Sequence, residues 1–187
     1  MGENSYKMEN IGIAQINYVS GDLENNFNKI ISYIKEAENN GLDLLIFPEF
    51  SLIGYSMEDT VKRHKFLIEE QKKYLNKISK IVNNVTVLVG YLDENCTSSM
   101  AVIKNSKIEN ITKKTGASVF EVNGKKYELI IGKINNSEQF IDKVDMLINC
   151  EGLTIGKESY EAKQKELTNL AKKYEIDDYF PNADYAA

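Results

Sequence analysis

Two residues that could take part in a reaction follow short apolar runs. Glu49 comes directly after LDLLIF (42–47) and Pro48, and Cys150 closes the run VDMLINC (144–150). Runs of this length predict buried strands, and α/β sheets open their ligand clefts at strand ends. A carboxylate partly buried at such an edge has a raised pKa, which suits a general base. A thiol there is either a nucleophile or a small buried hydrophobe, and both interpretations of Cys150 stay open.

The elements that must position these residues alternate along the chain. Apolar runs predict strands near 11–17, 43–48, 86–91, 100–104, 107–112, 127–132 and 145–149. Amphipathic patterns predict helices over 23–39, 57–83, 137–143 and 160–174, the first with Asp22 as N-cap and Gly41 as its stop. The dipeptides Asn105-Ser106 and Asn123-Gly124 indicate tight turns. Interleaved strands and helices predict an α/β fold with a mixed sheet.

Composition limits the classes of protein that the chain can belong to. Its 187 residues predict a single domain over 1–187, with a core over about 9–174 and a polar tail over 175–187. A net charge of −5 argues against a nucleic-acid partner, and no apolar run is long enough to span a membrane. One histidine and two cysteines in no metal-ligand spacing predict neither a metal nor another cofactor. Two lone thiols fit a reducing compartment, so we expect a cytoplasmic protein.

Three segments resemble the carbon–nitrogen hydrolase (nitrilase) superfamily. The segment IGIAQINYVSGDLENNFNKI (11–30) resembles its opening strand and first helix, and LIFPEFSLIGYSMEDTV (45–61) resembles the segment with its catalytic glutamate. The third segment, LINCEGLTIGKESYEAKQ (147–164), resembles its Asn-rich strand end. Within the superfamily, the likeness is greatest to the glutaminase domain of glutamine-dependent NAD synthetase. The resemblance implies an α-β-β-α sandwich with two mixed sheets.

The resemblance also implies a remnant of a catalytic triad. Family members cleave C–N bonds with a glutamate base, a lysine that stabilises the oxyanion, and a cysteine nucleophile. Glu49 matches the glutamate, and Lys114, after the hairpin AVIKNSKIENITKK (101–114), matches the lysine. Gly132 stands at the position of the cysteine, at the end of YELIIGKI, and the loop after Lys114 is shorter than in the family. We expect Glu49 and Lys114 to face a common crevice beside Gly132.

Three functions are compatible with this pattern. The first is a degenerate, catalytically inactive protein that binds a partner or a small ligand such as an amide or amino acid. The second is an amidase or glutaminase that uses a displaced nucleophile, for which Cys150 is the candidate. The third is an assembly module that forms a homodimer or pairs with an active homologue, as the resemblance implies. Loss of the cysteine favours the first and third, whereas the presence of Glu49 and Lys114 favours the second.

Overall fold

A computed structural model describes residues 9–55, 57–113, 117–132, 144–150, 165, 168–169 and 177–179. In chain order the elements are β1 (Ile11–Ile13), α1 (Leu23–Asn39), β2 (Leu44–Ile46), α2 (Glu58–Arg63), α3 (Phe66–Ser79), β3 (Thr86–Leu92), β4 (Ser98–Lys104), β5 (Lys107–Lys113), β6 (Ala117–Val122), β7 (Lys125–Ile131), β8 (Met146–Cys150) and β9 (Asp177–Tyr179).

The strands form two sheets of mixed direction, which confirms the predicted α/β fold with two mixed sheets. The first sheet has the order β1-β2-β3-β4-β5. Its first three strands are parallel, and β4 and β5 continue as antiparallel neighbours. The second sheet has the order β6-β7-β8-β9, with β6 antiparallel to β7 and the last three strands parallel.

The first helix shows how local sequence sets an element's limits. The Asp22 side chain accepts a hydrogen bond from the Asn25 backbone N–H, so it caps the first turn of α1. Gly41, two residues beyond the helix, has a φ of +65°, a conformation that glycine adopts without strain. Ile30 and Ile34 are fully buried on one face of α1. That face packs on the first sheet, as the predicted helix over 23–39 requires.

Two apolar cores lie on either side of the first sheet. The outer core joins α1 and α3 to side chains such as Leu45, Val87 and Val89. The inner core lies between the sheets and contains Leu44, Ile46, Leu88, Met100, Val102, Phe120, Val122, Tyr127, Leu129, Ile131, Ile148 and Cys150. Successive strand residues face opposite sides, so β2 and β3 contribute alternately to the two cores.

The strands that carry the candidate residues end at one edge of the molecule. Strand β5 runs in the direction of β2 and β3, because the antiparallel β4 lies between β3 and β5. The second sheet points the same way, since Asn123 before β7 donates from Nδ2 to Oδ1 of Asp43 before β2 (2.6 Å). The carboxyl ends of β2, β5, β7 and β8 therefore meet at a common edge.

Three elements differ from the sequence-based prediction. The pattern over 57–83 forms two helices, because His64 has an extended backbone (φ −125°, ψ 66°) that interrupts the helical path. Strand β6 was not predicted, and it includes part of the stretch that the sequence assigns to a shortened loop. Its inward residues are Phe120 and Val122, too short a pattern to be distinctive alone. Strand β9 lies within the predicted polar tail.

Much of the second predicted helical layer, over 137–143 and 160–174, lies outside the described residues. Among the residues that the structure describes, no helix is long and apolar enough to cross a membrane.

Candidate active site

Glu49 lies just beyond β2, where the chain continues alongside β3. The Phe47 N–H donates to the Leu88 carbonyl (2.9 Å), and the Leu52 N–H donates to the Gly90 carbonyl (3.0 Å). Glu49 stands between these two contacts, and only 2% of its surface is exposed. The structure thus places Glu49 at the strand end, as the sequence predicts, with its backbone held on both sides.

Gly90 permits the close approach of the Glu49 segment to β3. A Cβ atom at Gly90 would lie 2.3 Å from the Pro48 carbonyl oxygen and 2.7 Å from the Phe50 nitrogen. Phe50 itself has a φ of +64°, a conformation that is uncommon for a bulky side chain. The backbone on either side of the carboxylate is therefore tightly packed and locally strained.

Ser51 joins this segment to β3 by a reciprocal pair of hydrogen bonds. Its Oγ accepts from the Gly90 N–H (2.9 Å) and donates to the Gly90 carbonyl (3.2 Å). The side chain is fully buried. Ser51 was not singled out from the sequence, where a serine two residues after Glu49 carries no distinctive signal.

Gly132 follows directly on β7 and is held against β8. Its N–H donates to the Cys150 carbonyl (2.9 Å), and its carbonyl accepts from Asn149 Nδ2 (2.9 Å). Its φ is +83°, in the left-handed region that favours glycine. A buried glycine here contributes backbone groups to the strand end and no nucleophilic side chain.

Cys150 closes β8 and faces the apolar core between the sheets. It is a free thiol and fully buried. Burial, and secondarily the negative charge of Glu49, raise the pKa of the Cys150 thiol far above its usual range. Glu49 is thus close enough to influence the thiol electrostatically. The thiolate, which is the nucleophilic form, is disfavoured.

Lys114, the predicted oxyanion-stabilising residue, lies outside the described residues. The preceding residue, Lys113, ends β5 at the same molecular edge as Glu49 and Gly132. The expected common crevice of Glu49 and Lys114 stays a prediction.

Asn149 is a further buried polar residue at this edge. Its Nδ2 also donates to the Ile130 carbonyl (3.3 Å), so the amide joins the ends of β7 and β8. Its Oδ1 is buried without a hydrogen-bond partner. The resemblance includes this asparagine in a strand end, but no periodicity in the sequence indicates its bonds.

No group of three or more His, Cys, Asp or Glu side chains that could hold a metal ion occurs in the described part of the chain. The arrangement that is described there consists of a buried carboxylate, a buried thiol and a glycine at adjoining strand ends. A carboxylate in such a setting can accept a proton or bind a donor group of a ligand.

Comparison with known proteins agrees with this arrangement. Residues 10–125 match the model of the carbon–nitrogen hydrolase family, a span that includes Glu49 and ends before Gly132. A glutamine-dependent NAD(+) synthetase from Thermotoga maritima is 38% identical over 136 residues, which are 67% of this chain and 23% of that protein. One from Aquifex aeolicus is 36% identical over 110 residues, 57% of this chain and 19% of the relative. The chain thus spans about a quarter or less of the length of these relatives.

Solved structures share the fold at low sequence identity. The glutamine-dependent NAD+ synthetase of Acinetobacter baumannii superposes with a TM-score of 0.77 at 21% identity, covering 91% of this chain and 38% of that one. An amidase from Nesterenkonia sp. AN1 superposes with a TM-score of 0.74 at 13% identity, covering 94% and 79%. The family match spans more than half of the chain, and the two-sheet fold agrees with it. This chain belongs to the carbon–nitrogen hydrolase family.

Proposed function

We propose that this protein is a degenerate carbon–nitrogen hydrolase that does not hydrolyse amides and has a binding or assembly role. The observation that carries the proposal is Gly132, which stands at the strand end where the resemblance requires the nucleophilic cysteine. The glycine is buried, hydrogen-bonded to β8 and in a left-handed backbone conformation. The printed description of the Nesterenkonia amidase refers to an active-site cysteine that reacts with acrylamide, so thiol chemistry belongs to that relative.

The chemistry of amide hydrolysis explains why this substitution matters. Amide cleavage through the family route needs a thiolate that attacks the carbonyl carbon and forms a thioester. Removing the nucleophile of a comparable triad lowers turnover by about 10⁶-fold. Glu49 alone could activate water, but general base catalysis contributes only about 10²- to 10⁴-fold. Hydrolysis by the remaining groups is therefore expected to be negligible.

The alternative function is an amidase or glutaminase that uses Cys150 as a displaced nucleophile. The electrostatic influence of Glu49 on this thiol favours it, because a base and a nucleophile must be near each other. Full burial and a raised pKa oppose it, since they keep Cys150 as an unreactive thiol. We therefore favour the inactive protein.

Ammonia release tests the two proposals directly. The protein is incubated with glutamine and a panel of simple amides, beside the variants Glu49→Ala and Cys150→Ala. We expect the wild type and both variants to release ammonia equally, at the background rate. Release by the wild type that both substitutions abolish would establish the displaced-nucleophile enzyme. Iodoacetamide labelling supports the distinction, since we expect half-buried Cys96 to react in the folded protein and Cys150 only after unfolding.

Calorimetric titration with the same amides and with free amino acids tests the binding role. A remnant site predicts binding that Glu49→Gln weakens at least several-fold and that the exposed-helix control Glu36→Gln leaves unchanged. Sedimentation velocity tests assembly, for which the proposed partner is a second copy or an active homologue. A strictly monomeric protein that binds none of these compounds would contradict the proposal. Cytoplasmic location stays a part of the same proposal, supported only by the two unpaired cysteines.

A further inference from the structure

A buried carboxyl group connects the two sheets at the edge opposite the candidate active site. Glu9 precedes β1 of the first sheet, and its side chain is only 3% exposed. Its Oε2 accepts a hydrogen bond from the hydroxyl group of Tyr127, in β7 of the second sheet. Lys125 Nζ, on the same strand, lies 3.7 Å from that oxygen.

The second oxygen of Glu9 has no such support. Oε1 is buried and has no hydrogen-bond partner. An ionised carboxylate shares its charge between both oxygens, so a buried oxygen without a donor is costly. A proton on Oε1 makes the group neutral and leaves Oε2 free to accept from Tyr127. The geometry is thus better matched to the carboxylic acid than to the carboxylate.

The charged groups around Glu9 act in opposite directions. Lys125 favours the ionised form, whereas Asp43 ahead of β2 and Asp145 ahead of β8 disfavour it. Burial is the largest influence, and the pKa of Glu9 is raised above its ordinary value.

The two neighbouring aspartates are held in place. Asp43 accepts from the Asn10 N–H (3.0 Å) as well as from Asn123, and Asp145 accepts from the Lys126 N–H (2.8 Å). Neither carboxylate is free to swing away from Glu9 when Glu9 loses its proton.

We propose that Glu9 and Tyr127 form a proton-operated latch between the sheets. With its proton, Glu9 fastens the segment that leads into β1 onto β7; without it, an ionised oxygen is left buried near two fixed aspartates and the fastening weakens. The latch strengthens on acidification. The proton's contribution to stability is complete below the unfolded-state value, near 4.5, and is lost as the pH rises through the higher folded-state value.

Two measurements on the full chain test the latch. Carboxyl NMR of glutamate-labelled protein, with the Glu9 signal assigned by its loss in Glu9→Gln, should give a midpoint above the roughly 4.3 of an unperturbed glutamate. Melting temperatures from pH 4 to 8 should show Glu9→Gln, a neutral mimic of the acid, gaining over the wild type as the pH rises. Glu36→Gln, on an exposed face of α1, is the matched control and should show no such trend.

Tyr127→Phe supplies a readout that a purely structural contact would not give. Removing the hydroxyl donor withdraws support from the ionised form, so the Glu9 midpoint should move to still higher pH. A wild-type midpoint at or below the ordinary value would overturn the proposal even if a variant failed to fold. Identical pH profiles for Glu9→Gln and wild type, or an unmoved midpoint in Tyr127→Phe, would also overturn it.

Discussion

Gly132 joins a chemical question to a conformational one. Its φ of +83° is a conformation that costs an L side chain roughly 1–2 kcal/mol. We predict that Gly132→Cys folds with a free energy of unfolding lowered by about that amount, as measured in urea. The new thiol should react with iodoacetamide, because the proposed alignment puts it beside Glu49.

A turn glycine with the same conformation provides the control for this variant. Gly124 has a φ of +85° and open space around the position of a Cβ atom. Gly124→Cys should lose similar stability, and its labelling rate should be indifferent to an added Glu49→Gln change. The labelling of Gly132→Cys should respond to Glu49→Gln. If it does not, the assignment of Gly132 to the nucleophile position is wrong.

Individual residues differ in how far the sequence predicts them. The apolar run before Pro48 was enough to place Glu49 at a strand end. The side of the sheet that Cys150 faces could not be predicted, since a one-residue change of register exchanges the two faces. Asn149 and Ser51 hydrogen-bond to backbone groups of other strands, and such partners depend on tertiary structure.

The segment after β2 is an element whose position depends on one hydroxyl group. Ser51→Ala would leave the Gly90 N–H without the Oγ acceptor that it has at 2.9 Å. An unpaired buried donor costs about 1–3 kcal/mol, so we predict a loss of that size in chemical denaturation. If Glu49 binds a ligand, the variant should also bind it more weakly.

Ser20→Ala is the appropriate comparison for that change. Its Oγ donates to the Tyr55 carbonyl at 3.0 Å in an exposed setting, where water can replace it. We expect a loss below about 0.5 kcal/mol, as for most surface substitutions. Equal losses for the two serine variants would show that the Ser51 bonds do not hold the Glu49 segment.

Elements with strong end signals were predicted well, and those without them were not. Asp22 and Gly41 delimit α1, so its bounds of 23–39 agree with the structure. The interruption at His64 has neither a proline nor a glycine to indicate it. Strand β6 depends on pairing with β7, an interaction that its own six residues do not reveal.

The whole molecule depends on the apolar layer between its sheets. Leu88 is fully buried there, in contact with both sheets' side chains, whereas Ile111 on the edge strand β5 is 45% exposed. We predict that Leu88→Ala lowers the free energy of unfolding by about 2–5 kcal/mol and Ile111→Ala by less than about 1 kcal/mol. Urea denaturation followed by circular dichroism measures both. Similar losses would mean that the inner core is not the main apolar contact between the sheets.

Strand β9 gives the segment near the chain terminus a protective role. It pairs in parallel with β8 through Asp177, Asp178 and Tyr179, and so occupies one side of that strand. A shortened chain that stops before Asp177 would expose the backbone N–H and carbonyl groups of Met146–Ile148 along an open edge. Unpaired strand edges are templates for pairing with other chains. Aggregation during expression is therefore the expected fate of protein trimmed at that point, whatever the state of its candidate active site.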